Sequence, residues 1–234
     1  VAMKSLRSKH AITILVQLSE IHQKNMRVIG DILTAIESTS DRMVSDTTVA
    51  PAQVVEVSRK AMARYPNEQR IQEMGCRVIT RVGEAVGAFD GILETMAAAA
   101  TAEAEARTVP QVVIEAMRRH GGESEEVAEA ACGATMTIAF DEGIRGMMVG
   151  KGFIEEIERV CSRHERSAKV QERALLAIGN IVARNAGNKI EVGRRKGGGG
   201  IERVLKSMKA HEGDERVQSA GITARRNITG EVAH

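Results

Sequence analysis

The stretch Ile157–Ile181 reads IERVCSRHERSAKVQERALLAIGNI, and Ile201–Ile228 reads IERVLKSMKAHEGDERVQSAGITARRNI. Six residues after the histidine of each, His164 and His211, stands a valine, Val170 and Val217, from which apolar residues return at helical spacing. Working outward, the pairing recurs as His22 with Val28 and Tyr65 with Ile71, and as His120 with Val127, where the interval is seven. The five aliphatics, taken here as register residues, lie 43, 56, 43 and 47 positions apart. That is the period of arrays built from two or three helices per unit.

Each unit reads as two amphipathic helices that cannot bury their apolar faces alone. After the register residue come Ile32, Leu33 and Ile36 in unit one, and Ala174, Leu175, Ile178 and Ile181 in unit four. The preceding helix carries Ile12, Leu15 and Val16 in unit one, Ile154 and Ile157 in unit four, and Ile201, Val204, Leu205 and Met208 in unit five. Pro51 and Pro110 stand where the first helices of units two and three should begin, a position at which the missing N–H costs nothing. Pro66, the Gly121–Gly122 pair and Gly213 mark the corner between the two helices. Glu142 to Gly150 and Asn188 to Arg195 leave room for a short third helix. The expected fold is all-α, a right-handed α-solenoid of about five units over residues 1–40, 41–83, 84–139, 140–183 and 184–234, forming a single domain.

Composition agrees with that plan. Of 234 residues 43% are hydrophobic but only 2% aromatic, so the core must come from small aliphatics and methionine. With 33 basic and 31 acidic residues, the net charge of +2 lacks the excess of a dedicated nucleic-acid binder. No apolar run reaches the roughly 18 residues that cross a bilayer. Three cysteines without a C-x-x-C fit a reducing, intracellular compartment. The cytoplasm is the first expectation, or an organelle interior if a leader was removed ahead of Val1.

Residues that look chemical recur at structural positions. His22, His120, His164 and His211, with Tyr65, fall at the end of each first helix, where a polar ring suits exposed carbonyls. Cys76 and Cys132 occupy the fifth position after the register residue, and Cys161 replaces a core methionine. Glu125, Glu126, Glu155 and Glu156 flank helix starts. Gly197 to Gly200 lack the lysine and hydroxyl that follow the glycines of a phosphate loop. The reading therefore holds no catalytic residue, no metal ligand, no cofactor and no small-molecule substrate. An alanine- and glutamate-rich insertion at residues 96–107 lengthens unit three.

The stretches Tyr65 to Cys76, Val170 to Ile181 and His211 to Ile228 resemble the third-helix region of armadillo repeats. The resemblance implies a concave groove lined three, six and ten positions after the register residue. Those positions hold Asp31, Thr34 and Ser38; Met74, Arg77 and Arg81; Ala130, Gly133 and Thr137; Arg173, Leu176 and Asn180; and Ala220, Thr223 and Asn227. Asn180 and Asn227 match the family asparagine that binds a peptide backbone, and no unit has the tryptophan of members that bind basic signals. Arg77, Arg81 and Arg173 against Asp31 favour an acidic segment. Arg225 takes an eighth position that is isoleucine in units one, two and four, which marks a terminal or docked face.

The function expected is a non-catalytic scaffold binding other proteins, as a subunit of a larger assembly. The alternative is a soluble adaptor holding an extended, acidic peptide in the groove, and a more distant one is an enzyme on a HEAT-like scaffold.

Overall fold

The computed structural model describes residues 11–39, 50–86, 107–194 and 200–230, and these are all helical or connecting, with no strand among them. Twelve helices follow in order: α1 (Ala11–Ile21), α2 (Met26–Thr39), α3 (Pro51–Arg64), α4 (Gln69–Val86), α5 (Val109–His120), α6 (Glu125–Ile138), α7 (Glu142–Met148), α8 (Phe153–Arg163), α9 (Ala168–Val182), α10 (Ala186–Arg194), α11 (Ile201–Ala210) and α12 (Glu215–Thr229). The fold is all-α and repeat-like.

Local chemistry sets the helix boundaries. Pro51 opens α3 and Pro110 sits in the first turn of α5. Thr108 and Gln111 cap α5 reciprocally, the Thr108 N–H donating to Gln111 Oε1 at 2.7 Å. Ser124, Asp141, Ser167 and Asp214 each accept a first-turn N–H, at α6, α7, α9 and α12. The short helices α7 and α10 occupy the two segments that leave room for a third helix. The corresponding stretches before α3 and α5, including the 96–107 insertion apart from Arg107, lie outside the described residues.

The second helices α2, α4, α6, α9 and α12 pack on one another in sequence, and the first helices α1, α3, α5 and α8 do the same alongside. Between the rows runs one apolar core from Ile12 to Ile228. The predicted stripes are buried: Ile32, Leu33 and Ile36 in unit one, Ala174, Leu175, Ile178 and Ile181 in unit four. Each fully buried isoleucine or leucine contributes about 1.5–3 kcal/mol. Leu205 departs from its stripe and is 49% exposed. Its counterparts six residues before the ring show why: Arg59 bonds the Arg107 carbonyl and Glu158 accepts the Gly200 N–H, so the position faces the following unit.

Packing is tuned pair by pair. A Cβ on Gly75 would lie 2.5 Å from Met62 Cγ, and one on Gly221 would lie 2.3 Å from Met208 Cγ. These glycines occupy the fourth position after the register residue, and in unit four Ala174 stands there while Cys161 replaces the methionine. Volume lost on one helix is recovered on its partner.

The recurrent rings join units rather than capping their own helices. His120 Nε2 meets the Pro66 carbonyl at 2.9 Å, His164 Nε2 the Gly121 carbonyl at 2.8 Å, and His211 Nε2 the Glu165 carbonyl at 2.8 Å. The Tyr65 hydroxyl donates to the Gln23 carbonyl at 3.0 Å. In every case the acceptor belongs to the residue just after the previous unit's ring. The position is structural, as expected, but its bond bridges a joint. Corner carbonyls within units two, four and five are held instead by glutamines one place after the register residue. Gln72 donates to Met62 and Tyr65, Gln171 to Cys161 and His164, and Gln218 to Met208 and His211.

Candidate interaction surface

The row of second helices carries the residues expected to line a groove, and the structure shows what each of them touches. Arg77 pairs with Glu73 at 3.0 Å on its own helix and approaches Glu129 of α6 at 3.8 Å. Arg81 lies 3.5 Å from Glu37 of α2 and 3.5 Å from Glu84. Arg173 of α9 reaches back to Glu84 at 3.4 Å and to Met136 Sδ at 4.0 Å. Glu84 thus brings Arg81 and Arg173 together. Since Arg173 belongs to unit four and Glu84 to the end of α4, this bridge passes over unit three. The groove positions of that unit are small, Ala130, Gly133 and Thr137, and buried.

These arginines are matched by carboxylates, so the stretch is charge-balanced. Counting only the third, sixth and tenth positions misses Glu37, Glu73, Glu84 and Glu129, which enter from neighbouring turns and helices. Each pair is at least partly exposed and contributes about 1 kcal/mol or less. What the pairs fix is side-chain direction.

The two asparagines form a second ladder. Asn180 Nδ2 donates to the Met136 carbonyl at 3.0 Å, and Asn227 Nδ2 to the Gly179 carbonyl at 3.1 Å. Both acceptors lie nine positions after the previous unit's register residue. Each amide spends one N–H on the joint and keeps its second N–H and its carbonyl oxygen for the surface. Thr223 sits half-buried between them in chain order on the last helix, one place before Ala224, whose Cα would be 3.3 Å from a Cβ on Gly179. A side chain at that position would push α9 and α12 apart by a few tenths of an ångström. Asn180 and Asn227 thus make equivalent bonds one repeat apart, and the ion-paired cluster of Arg77, Arg81 and Arg173 adjoins them, since Arg173 and Asn180 share α9 and both contact Met136.

Arg225 is exposed on α12, whereas Ile36, Ile79 and Ile178 at the same repeat position are fully buried. No unit packs over that side of α12 among the described residues.

Thiol chemistry is disfavoured by environment. Cys76, Cys132 and Cys161 are free and fully buried, and burial pushes the Cys161 thiol up to about 12 and raises those of Cys76 and Cys132. Glu126 is held below the usual carboxylate range by its own backbone N–H and by the Ser124 hydroxyl. Among the described residues no three His, Cys, Asp or Glu side chains converge as a metal site, and no helix is long and apolar enough to cross a membrane.

Compared with known proteins, the chain matches no family model, no curated protein and no solved structure.

Proposed function

We propose that the chain is a right-handed α-solenoid of armadillo-like units that serves as a non-catalytic protein-binding scaffold within a larger protein assembly. The observation that carries this reading is the pair of inter-unit ladders. The rings of Tyr65, His120, His164 and His211 and the amides of Asn180 and Asn227 tie consecutive units together at both edges of the stack. A surface held at so many joints is pre-organised, and pre-organisation lowers the ordering cost that binding must overcome. The binding surface is the row of second helices, with Arg77, Arg81, Arg173, Asn180, Thr223 and Asn227 along it.

A second reading, the peptide-holding adaptor, is favoured by the spare amide groups of Asn180 and Asn227, spaced one repeat apart. An extended backbone could bond both. The Arg173–Glu84 bridge closes the same track over unit three, so the adaptor reading predicts an opening step there.

Affinity purification from native cells distinguishes them. Partners retained at high salt in fixed stoichiometry support the assembly subunit. Partners recovered only at low salt, and lost on Asn180→Ala or Asn227→Ala, support the adaptor.

A further inference from the structure

The residue just before the ring is arginine in three successive units: Arg64 before Tyr65, Arg119 before His120 and Arg163 before His164. Units one and five hold Ile21 and Ala210 there, so the basic row spans units two to four. All three arginines are exposed, in the last turns of α3, α5 and α8. The helix macrodipole favours a cation anywhere in that turn, but it does not select one place three times over.

The joints carry these side chains into one line. Tyr65, His120 and His164 are each tied to the preceding unit by their ring bonds, so the arginine beside each ring is held at a joint. Arg119 Nη1 donates to Asn67 Oδ1 at 3.1 Å, which lays it over the corner of unit two that follows Arg64. A Cβ on Gly122 would lie 3.9 Å from Arg163 Cγ, which lays Arg163 over the corner of unit three that follows Arg119. Arg119 and Arg163 thus each stand toward the arginine of the preceding unit.

None of the three has a carboxylate partner among the described residues. Arg119 bonds the Asn67 amide oxygen alone, and Arg64 and Arg163 make no side-chain hydrogen bond or ion pair there. Their neighbours show the contrast, since Arg118 is held by Glu156 at 3.3 Å, Arg159 by Glu156 at 2.8 Å and Lys206 by Glu165. Glu68 and Glu123 are exposed on the same corners, three places after the rings, and pair with none of the row. Exposed cations in line, left unmatched by their own chain, suit a run of anions.

We propose that Arg64, Arg119 and Arg163 form a docking edge for an extended acidic segment of a partner protein, one carboxylate to each arginine. Packed helices of neighbouring units stand about 8–10 Å apart, and an extended chain advances about 3.3 Å per residue. An acidic residue at about every third place therefore meets successive arginines. Each guanidinium offers its planar fork to one carboxylate. The edge is built on first helices, whereas the groove residues belong to second helices. This inference rests on the scaffold reading and gives it a partner chemistry.

Fluorescence anisotropy of a labelled peptide of three Glu-Ser-Gly repeats, titrated with the full chain at low salt, tests the edge. The wild type should bind it, and binding should weaken as salt rises. Arg64→Ser, Arg119→Ser and Arg163→Ser should each lower affinity about threefold, and together about thirtyfold. A charge-matched triple, Arg27→Ser, Arg70→Ser and Arg216→Ser, should bind as the wild type does, with circular dichroism and melting checking the fold of both triples. No binding by the wild type, equal loss in the two triples, or tighter binding of a single-stranded oligonucleotide overturns the proposal. Affinity purification from native cells separates it from the scaffold reading. An edge triple that keeps every wild-type partner overturns the edge alone, and a wild type that keeps no partner overturns both.

Discussion

His164 Nε2 lies 2.8 Å from the carbonyl oxygen of Gly121, across the joint between units three and four. The two residues are 43 positions apart in the chain. Removing the ring leaves a partly buried acceptor without its donor, so His164→Ala should lower unfolding free energy by about 1–2 kcal/mol. His164→Tyr should recover part of that loss, because Tyr65 makes the equivalent bond in unit two. Chemical denaturation of the three proteins checks both statements.

Gly75 and Met62 fit only as a pair. Gly75→Ala places a methyl against the middle of the Met62 side chain and should cost about 1–3 kcal/mol. Adding Met62→Cys imitates the Ala174 and Cys161 arrangement of unit four and should restore much of the loss. A double-mutant cycle in urea reads the coupling.

The buried thiols make stability fall at alkaline pH. In the unfolded chain cysteine ionises near pH 9, and in the folded chain burial holds Cys161 to about 12 with Cys76 and Cys132 raised as well. Their contribution is therefore complete below pH 9 and is lost as pH rises toward 12, at about 1.4 kcal/mol per thiol per pH unit. Replacing Cys161 with alanine should make the decline between pH 9 and 11 shallower by about a third, as followed by denaturant midpoints.

Glu84 holds Arg81 and Arg173 over unit three. If an extended peptide follows the second-helix row, Glu84→Gln should strengthen its binding several-fold by freeing that track, with little change in melting temperature. Titration of the variant with a retained partner segment gives the comparison.

Periodicity made the unit boundaries, the buried stripes and the corners legible, because Pro51, Pro110 and the apolar residues after each register position act locally. The same pattern left the direction of the rings open. A polar ring at a first-helix end suits either its own helix or a neighbour's carbonyl, and only the stacking of units decides between Val160, whose carbonyl takes the His164 N–H, and Gly121, whose carbonyl takes the ring. Glutamines at the first position after the register residue in units two, four and five are a signal of equal regularity, and their recurrence points to the corner carbonyls they hold. Charge balance on the second-helix row was illegible from three positions per unit, since Glu84 and Arg173 meet although 89 positions apart in the chain. Leu205 belongs to an apolar stripe by spacing, yet it holds the position from which Arg59 and Glu158 bond the following unit.

The repeat register itself is tested most directly by melting two single variants of α9 side by side. Ile178 is fully buried between units, and Arg173 is a partly exposed surface residue five positions away. Ile178→Asp buries an unpaired carboxylate and should abolish cooperative unfolding or lower stability by more than about 4 kcal/mol. Arg173→Asp should stay within about 1 kcal/mol of the wild type. Equal tolerance of the two substitutions, or greater damage from Arg173→Asp, would contradict the array.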